Sequence, residues 1–205
     1  MSEGPTSADE PAAVIGAAFA EHAEVLKAAA QAMAGPMEAA ARLLVEAYRR
    51  GGKAILFGNG GSMTDALHVE GELLGRFGFD RPGVPAVALG GLSALTAIAN
   101  DYGYEEVFAR QVQALGRSGD VAIAISTSGR SPNVLRAVDT ARASGMTTIG
   151  LTGGDGGALA GRVDVSLCVS ASTLSFRIQE THILIGHVIC ELVDRRLFGM
   201  NRVVS

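Results

Sequence analysis

The sequence predicts an α/β fold, a five-stranded parallel sheet flanked by helices, on three observations. Five short, continuous apolar runs alternate with helical patterns across residues 53–199. A strand hidden on both faces requires such a run, and a parallel sheet covered on both sides by helices supplies that burial. Three of the runs end in Gly/Ser-rich loops: GNGGS at 58–62, STSGRS at 126–131 and TGG at 152–154. Right-handed crossovers put the C-terminal ends of parallel strands on one edge, so these loops share an edge, and ligands of open α/β sheets bind there.

Taken in order, residues 1–10 read as a tail rich in Ser, Glu, Asp and Pro. Residues 11–52 read as a pair of helices. Val14, Ile15, Ala18, Phe19, Val25, Leu26 and Met33 recur at helical spacing in the first. Gly35-Pro36 reads as a stop followed by a start, because Gly ends helices and Pro opens them. Met37, Ala40, Leu43, Leu44 and Tyr48 give the second helix its apolar side, and Gly51-Gly52 ends it. Strands are expected at 54–57, 84–89, 120–125, 147–151 and 163–169. Helices are expected from the GNGGS loop to about Gly75, at 93–100, 104–115 and 132–144, and from Ser175 to Phe198. The first two helices carry apolar residues over wider faces than a sheet-covering helix needs, so packing between subunits is expected for them.

Composition excludes several classes. Hydrophobic residues are 48% and charged residues 19% of 205, which a disordered chain does not show. A formal net charge of −4 argues against a nucleic-acid partner, which needs a basic field. No apolar run reaches the roughly 20 residues that span a bilayer, so no membrane partner is expected. Cys168 and Cys190 lie apart in apolar runs and form no CxxC pair, as expected for core thiols in a reducing compartment. Residues 1–11 lack a basic start and an apolar segment, so a cytoplasmic location is expected.

Four constellations carry chemistry. In the GNGGS loop, Asn59, Gly60, Gly61 and Ser62 stand between a strand and a helix, where adjacent glycines turn backbone N–H groups toward an anion at the helix N-terminus. A tight strand-to-helix turn explains the same glycines. The second loop offers hydroxyls at Ser126, Thr127, Ser128 and Ser131, four donors for phosphate oxygens without a metal. A serine that merely caps the next helix accounts for one of them. His68 and Glu72, four residues apart, share a helix face about 6 Å apart along the axis. They can share a divalent metal or act as an acid–base pair, and a solvated surface pair has the same spacing. The last helix holds Gln179, His182 and His187, where buried core histidines are the alternative. Gln179 and His187 are about 12 Å apart in axial rise, so they meet only if their side chains lean together or two chains build one site.

These residues, with GRF at 75–77, RPGVPAVAL at 81–89, LTAIANDYGYEEVFARQV at 95–112, LTGGDGG at 151–157 and RIQETHI at 177–183, resemble the sugar isomerase (SIS) domain family. Within it they are most similar to the branch acting on sedoheptulose 7-phosphate. The resemblance covers about Phe57 to Phe198 and, more loosely, the helices before. It implies substrate contacts at Asn59, Gly60, Gly61, Ser62, Glu72, Asn100, Asp101, Ser126, Thr127, Ser128, Ser131 and Gln179. It implies one zinc per subunit on His68, Glu72, Gln179 and His187, with acid–base chemistry at Glu72 and His187, and a homotetramer with interfacial active sites. Gly90-Gly91 and Phe176 depart from the family pattern, which often has Thr/Ser-Asp and a polar or acidic residue there.

The expected function is therefore an aldose–ketose isomerase converting sedoheptulose 7-phosphate to a D-glycero-D-manno- or related heptose 7-phosphate through an enediol. The alternative is a non-catalytic binding protein of the DnaA initiator-associating type. That relative lacks a carboxylate at the place of Glu72 and a histidine at the place of His187, and this chain has both. Regulators that use the same domain add a helix-turn-helix, and residues 1–52 offer no basic recognition helix.

Overall fold

The computed structural model describes residues 10–199, so the expected tail lies outside the described residues but for Glu10. Five strands form one sheet: β1 (Ala54–Gly58), β2 (Ala86–Ala88), β3 (Val121–Ile125), β4 (Thr147–Gly153) and β5 (Val165–Val169). Their order is β2-β1-β3-β4-β5 and every neighbouring pair is parallel. β1 and β3 are buried along their whole length, as their unbroken apolar runs require. Side chains alternate between the two faces. Leu56, Ile123 and Ile125 join the core beneath the helices α1 (Pro11–Arg49), α2 (Gly61–Leu74) and α7 (Ser175–Phe198). Ile55, Phe57, Ala122 and Ala124 face the opposite layer, with α3 (Leu92–Tyr102), α4 (Ala109–Leu115), α5 (Pro132–Ala143) and α6 (Gly157–Ala160).

The strand order reverses between β1 and β3. The chain leaves β1 to build β2 on one side, then returns to build β3, β4 and β5 on the other. Gly58 pairs with Ile125, so the loops that follow these two strands start level with each other at the switch point.

The expected helical pair is one continuous helix, α1, with Pro36 inside it. Gly35 does not take the left-handed conformation that would end a helix. Pro36 costs the helix one hydrogen bond and crowds the preceding turn, about 3 kcal/mol. The stripe Val25, Ala29, Met33, Ala40, Leu44, Ala47 runs unbroken across it into the core. Burying even two of the larger members offsets that cost at about 1.5–3 kcal/mol each. Two smaller expectations also change. Residues 104–115 divide into a 3-10 turn (Tyr104–Glu106) and α4, and α6 was not anticipated.

α2 and α7 are fastened together at one end by Arg81, whose side chain and that of Asp194 are each 1% exposed. Arg81 Nε donates to Asp194 Oδ2 at 2.9 Å. Its Nη1 donates to the carbonyls of Leu73 and Gly75, and its Nη2 to that of Glu72. These are the carbonyls a helix C-terminus leaves without partners, and a cation there also favours the helix dipole. Among the described residues, no helix is long and apolar enough to cross a membrane.

Candidate active site

The first loop leaves β1 and opens α2. Gly60 sits at φ +55, in the region that favours glycine. At Gly61 the side-chain amide of Gln179 lies against the backbone, and a Cβ there would stand 2.3 Å from Gln179 Nε2. The glycines of this loop therefore admit a side chain from α7 as well as making the turn. Ser62 is buried beneath the loop, against Gly58.

The second loop leaves β3 and opens α5. Ser131 occupies the N-cap position of α5, yet its hydroxyl does not cap the helix. It pairs with the hydroxyl of Ser126 at 3.1 Å. Ser128 is exposed, and its Oγ accepts from the Arg130 amide. The loop's shape depends on a close backbone crossing with residues 153–159. Thr127 O accepts from Gly153 N and Gly129 O from Leu159 N. A Cβ on Gly129 would meet Gly156 O at 2.0 Å, and one on Gly157 would meet Ser128 O at 2.4 Å. The LTGGDGG segment thus supports the hydroxyl loop from behind.

Further along α2, that helix and α7 bring three side chains together. His68 Nε2 lies 3.2 Å from Glu72 Oε1 and 3.1 Å from His187 Nε2. The His187 ring also lies 5.7 Å from that of Phe77. All three donor atoms lie within 4.8 Å of one another. Gly186 permits the approach, since a Cβ there would be 2.7 Å from a Val69 methyl. Glu72 and His187 of one chain stand together. Gln179, two turns earlier on α7, stands at the first loop. Asn100 and Asp101 are exposed at the end of α3, bonded to each other at 2.8 Å.

His182 is a core histidine. It is 1% exposed, and its Nε2 lies 3.0 Å from the Thr152 carbonyl. Burial pulls it down to about 4. Cys190 is buried and its thiol is pushed up to about 12, chiefly by burial.

Four residues at the site escaped the sequence reading. Asp65 lies one turn before His68, and its Oδ2 is buried with no hydrogen-bond partner among the described residues. Burial pushes its carboxyl up to about 6, against the pull of His68. Arg81 holds the end of α2. Asn133 and Tyr104 both bond Asn59. A helix-period search for residues sharing a face with His68 would have found Asp65; the other three are joined to the site only by the folded chain.

The set His68, Glu72 and His187 fits a borderline divalent ion. Ligands about 2.0–2.1 Å from a tetrahedral zinc stand roughly 3.3 Å apart, close to the separations of 3.1 and 3.2 Å here. Mixed imidazole and carboxylate donors suit the same ions.

The SIS domain family matches residues 19–153. The phosphoheptose isomerase of Roseiflexus sp. (strain RS-1) is 55% identical over 161 residues, 78% of this chain and 81% of that protein. The phosphoheptose isomerase structure from Francisella tularensis matches with a TM-score of 0.86 at 38% identity, over 93% of this chain and 100% of that one. The one from Neisseria gonorrhoeae gives 0.83 at 43% identity, over 88% and 96%.

Proposed function

Since the chain belongs to the SIS domain family, and within it to the phosphoheptose isomerases, we propose that it interconverts sedoheptulose 7-phosphate and the aldose heptose 7-phosphate. The observation that carries this reading is the grouping of Glu72, His68 and His187 on α2 and α7, with α2 opening from the first of two anion-suited loops at the switch point. The reaction moves a proton between adjacent carbons and a second proton between their oxygens, through an enediol. Glu72 takes the proton from the hydroxyl-bearing carbon of the ketose and returns it to the neighbouring carbon. His187 moves the proton between the two oxygens. His68 and His187 face each other through their Nε2 atoms, beside the Glu72 carboxylate.

Ser126, Thr127, Ser128 and Ser131 hold the phosphate, and that remote binding positions the reacting carbons. Asn59, Gly60, Gly61, Ser62 and Gln179 line the sugar, with Asn100 and Asp101 contacting its hydroxyls. His68, Glu72, Gln179 and His187 would hold one zinc per subunit. When bound, the ion would polarise the carbonyl and stabilise negative charge on oxygen. We further propose a homotetramer in the cytoplasm, where a charged sugar phosphate that does not cross membranes is held.

The test is to follow aldose formation from sedoheptulose 7-phosphate with and without chelator. Glu72→Gln is expected to lower turnover by about two to four orders of magnitude, the worth of a placed acid or base, with an unchanged melting temperature. Near-normal turnover in that variant would remove Glu72 from the chemistry. Full activity after complete metal removal would make the ion incidental.

A further inference from the structure

Asn59 is tied to two residues across the switch point. Its Oδ1 accepts from Asn133 Nδ2 at 2.9 Å and from the Tyr104 hydroxyl at 3.0 Å. Its Nδ2 donates to Asn133 Oδ1 at 2.9 Å. A reciprocal amide pair has two self-consistent arrangements, related by flipping both groups. One outside bond chooses between them. The backbone N–H of Val134 points at Asn133 Oδ1 from 3.0 Å. An N–H can only donate, so the oxygen of Asn133 must face it, and the amide nitrogen must face Asn59.

The count of donors and acceptors follows. A carbonyl-type oxygen has two lone pairs, and both of those on Asn59 are engaged. An amide nitrogen has two hydrogens, and one is given to Asn133. One N–H therefore remains as the free polar group of the Asn59 side chain among the described residues. Asn133 is 2% exposed and sits in the first turn of α5, a rigid anchor. Tyr104 closes the second lone pair from the 3-10 turn after α3.

We propose that Asn133 and Tyr104 are positioning residues that hold the Asn59 amide as a single-donor contact, so that it recognises an acceptor oxygen of the sugar phosphate and cannot receive a hydroxyl proton. This rests on reading Asn59 as a substrate contact.

The test is a mutant cycle on Asn59 and Tyr104, read as KM and kcat for sedoheptulose 7-phosphate. The melting-temperature rise caused by the same sugar phosphate is recorded too, since it needs no turnover. Tyr104→Phe is expected to raise KM by about 2- to 12-fold, the worth of one hydrogen bond, with kcat little changed. In an Asn59→Ala background the same change is expected to do nothing further, because Tyr104 acts through Asn59. Asn133→Asp replaces the donor facing Asn59 by a second acceptor and is expected to raise KM by roughly tenfold or more. An equal effect of Tyr104→Phe in both backgrounds would make Tyr104 a direct substrate contact and overturn the proposal. So would no effect of Tyr104→Phe where Asn59→Ala weakens binding. If Asn59→Ala itself leaves both KM and the melting shift unchanged, the underlying reading of Asn59 fails, and the proposal with it.

Discussion

His182 is held where a charge is costly. The Thr152 carbonyl can only accept, so His182 Nε2 carries the proton and Nδ1 is left buried without a partner among the described residues. Its value of about 4 in the folded chain lies below the ordinary 6.5. Between those values the unfolded chain binds the extra proton, so stability is complete above pH 6.5 and falls as pH drops toward 4. The full loss is about 3 kcal/mol. His182→Gln, which keeps a donor and does not titrate, is expected to flatten the fall in melting temperature between pH 7 and pH 4.5. An unchanged pH profile would mean that His182 is not the group responsible. Asp65 works in the opposite sense, so the comparison of the two proteins isolates the histidine. At this scale the reactive residue types were legible because they recur at fixed spacing: His68 with Glu72, and the hydroxyls of 126–131. Asn133 and Tyr104 were not, because an asparagine after a proline and a tyrosine at the expected start of a helix look ordinary until Asn59 is brought against them.

The pairing of α2 with α7 sets the geometry of Glu72 and His187, and Arg81 is its fastening. Arg81→Met removes the partner of a buried Asp194, a loss worth about 3–5 kcal/mol. A large drop in urea midpoint is expected. Adding Asp194→Leu removes the stranded charge, so the double variant is expected to regain most of that stability. Its turnover is expected to stay low, because the carbonyls of Glu72 and Gly75 lose the Arg81 donor. Full recovery of turnover along with stability would reduce the pair to a stabilising contact. Elements whose pattern is local were legible: all five strands, and α7 from Ser175 to Phe198. The helical pair was misjudged because Gly35-Pro36 is a local stop signal, while the stripe that overrides it gains its energy from the distant sheet and α7. α6, four residues long, has too few positions to show a period.

At the scale of the molecule, the parallel sheet and its loop-bearing edge follow from the alternation of apolar runs with helices, whereas the strand order does not: several orders bury the same runs, and long-range packing selects among them. The early turns of α1 leave Val14, Ile15 and Phe19 largely exposed, Phe19 at 76%. Four copies joined partly through such surfaces are the expected assembly, and light scattering should return a mass near four chains. Because one chain holds Glu72 beside His187, hybrids of Glu72→Gln and His187→Ala subunits are expected to recover no activity beyond that of the parents. Recovery in a proven hybrid would mean that the two residues meet across an interface in the assembled protein. The packing of α1 on α7 also bears on how the protein is made. Residues 50–174 lie between these helices, so a ribosome releases α1 and then spends roughly ten seconds on the intervening chain. For that interval the stripe from Val25 to Ala47 has no α7 to cover it. The nascent protein carries an open greasy strip that chaperones can hold until α7 emerges and closes it.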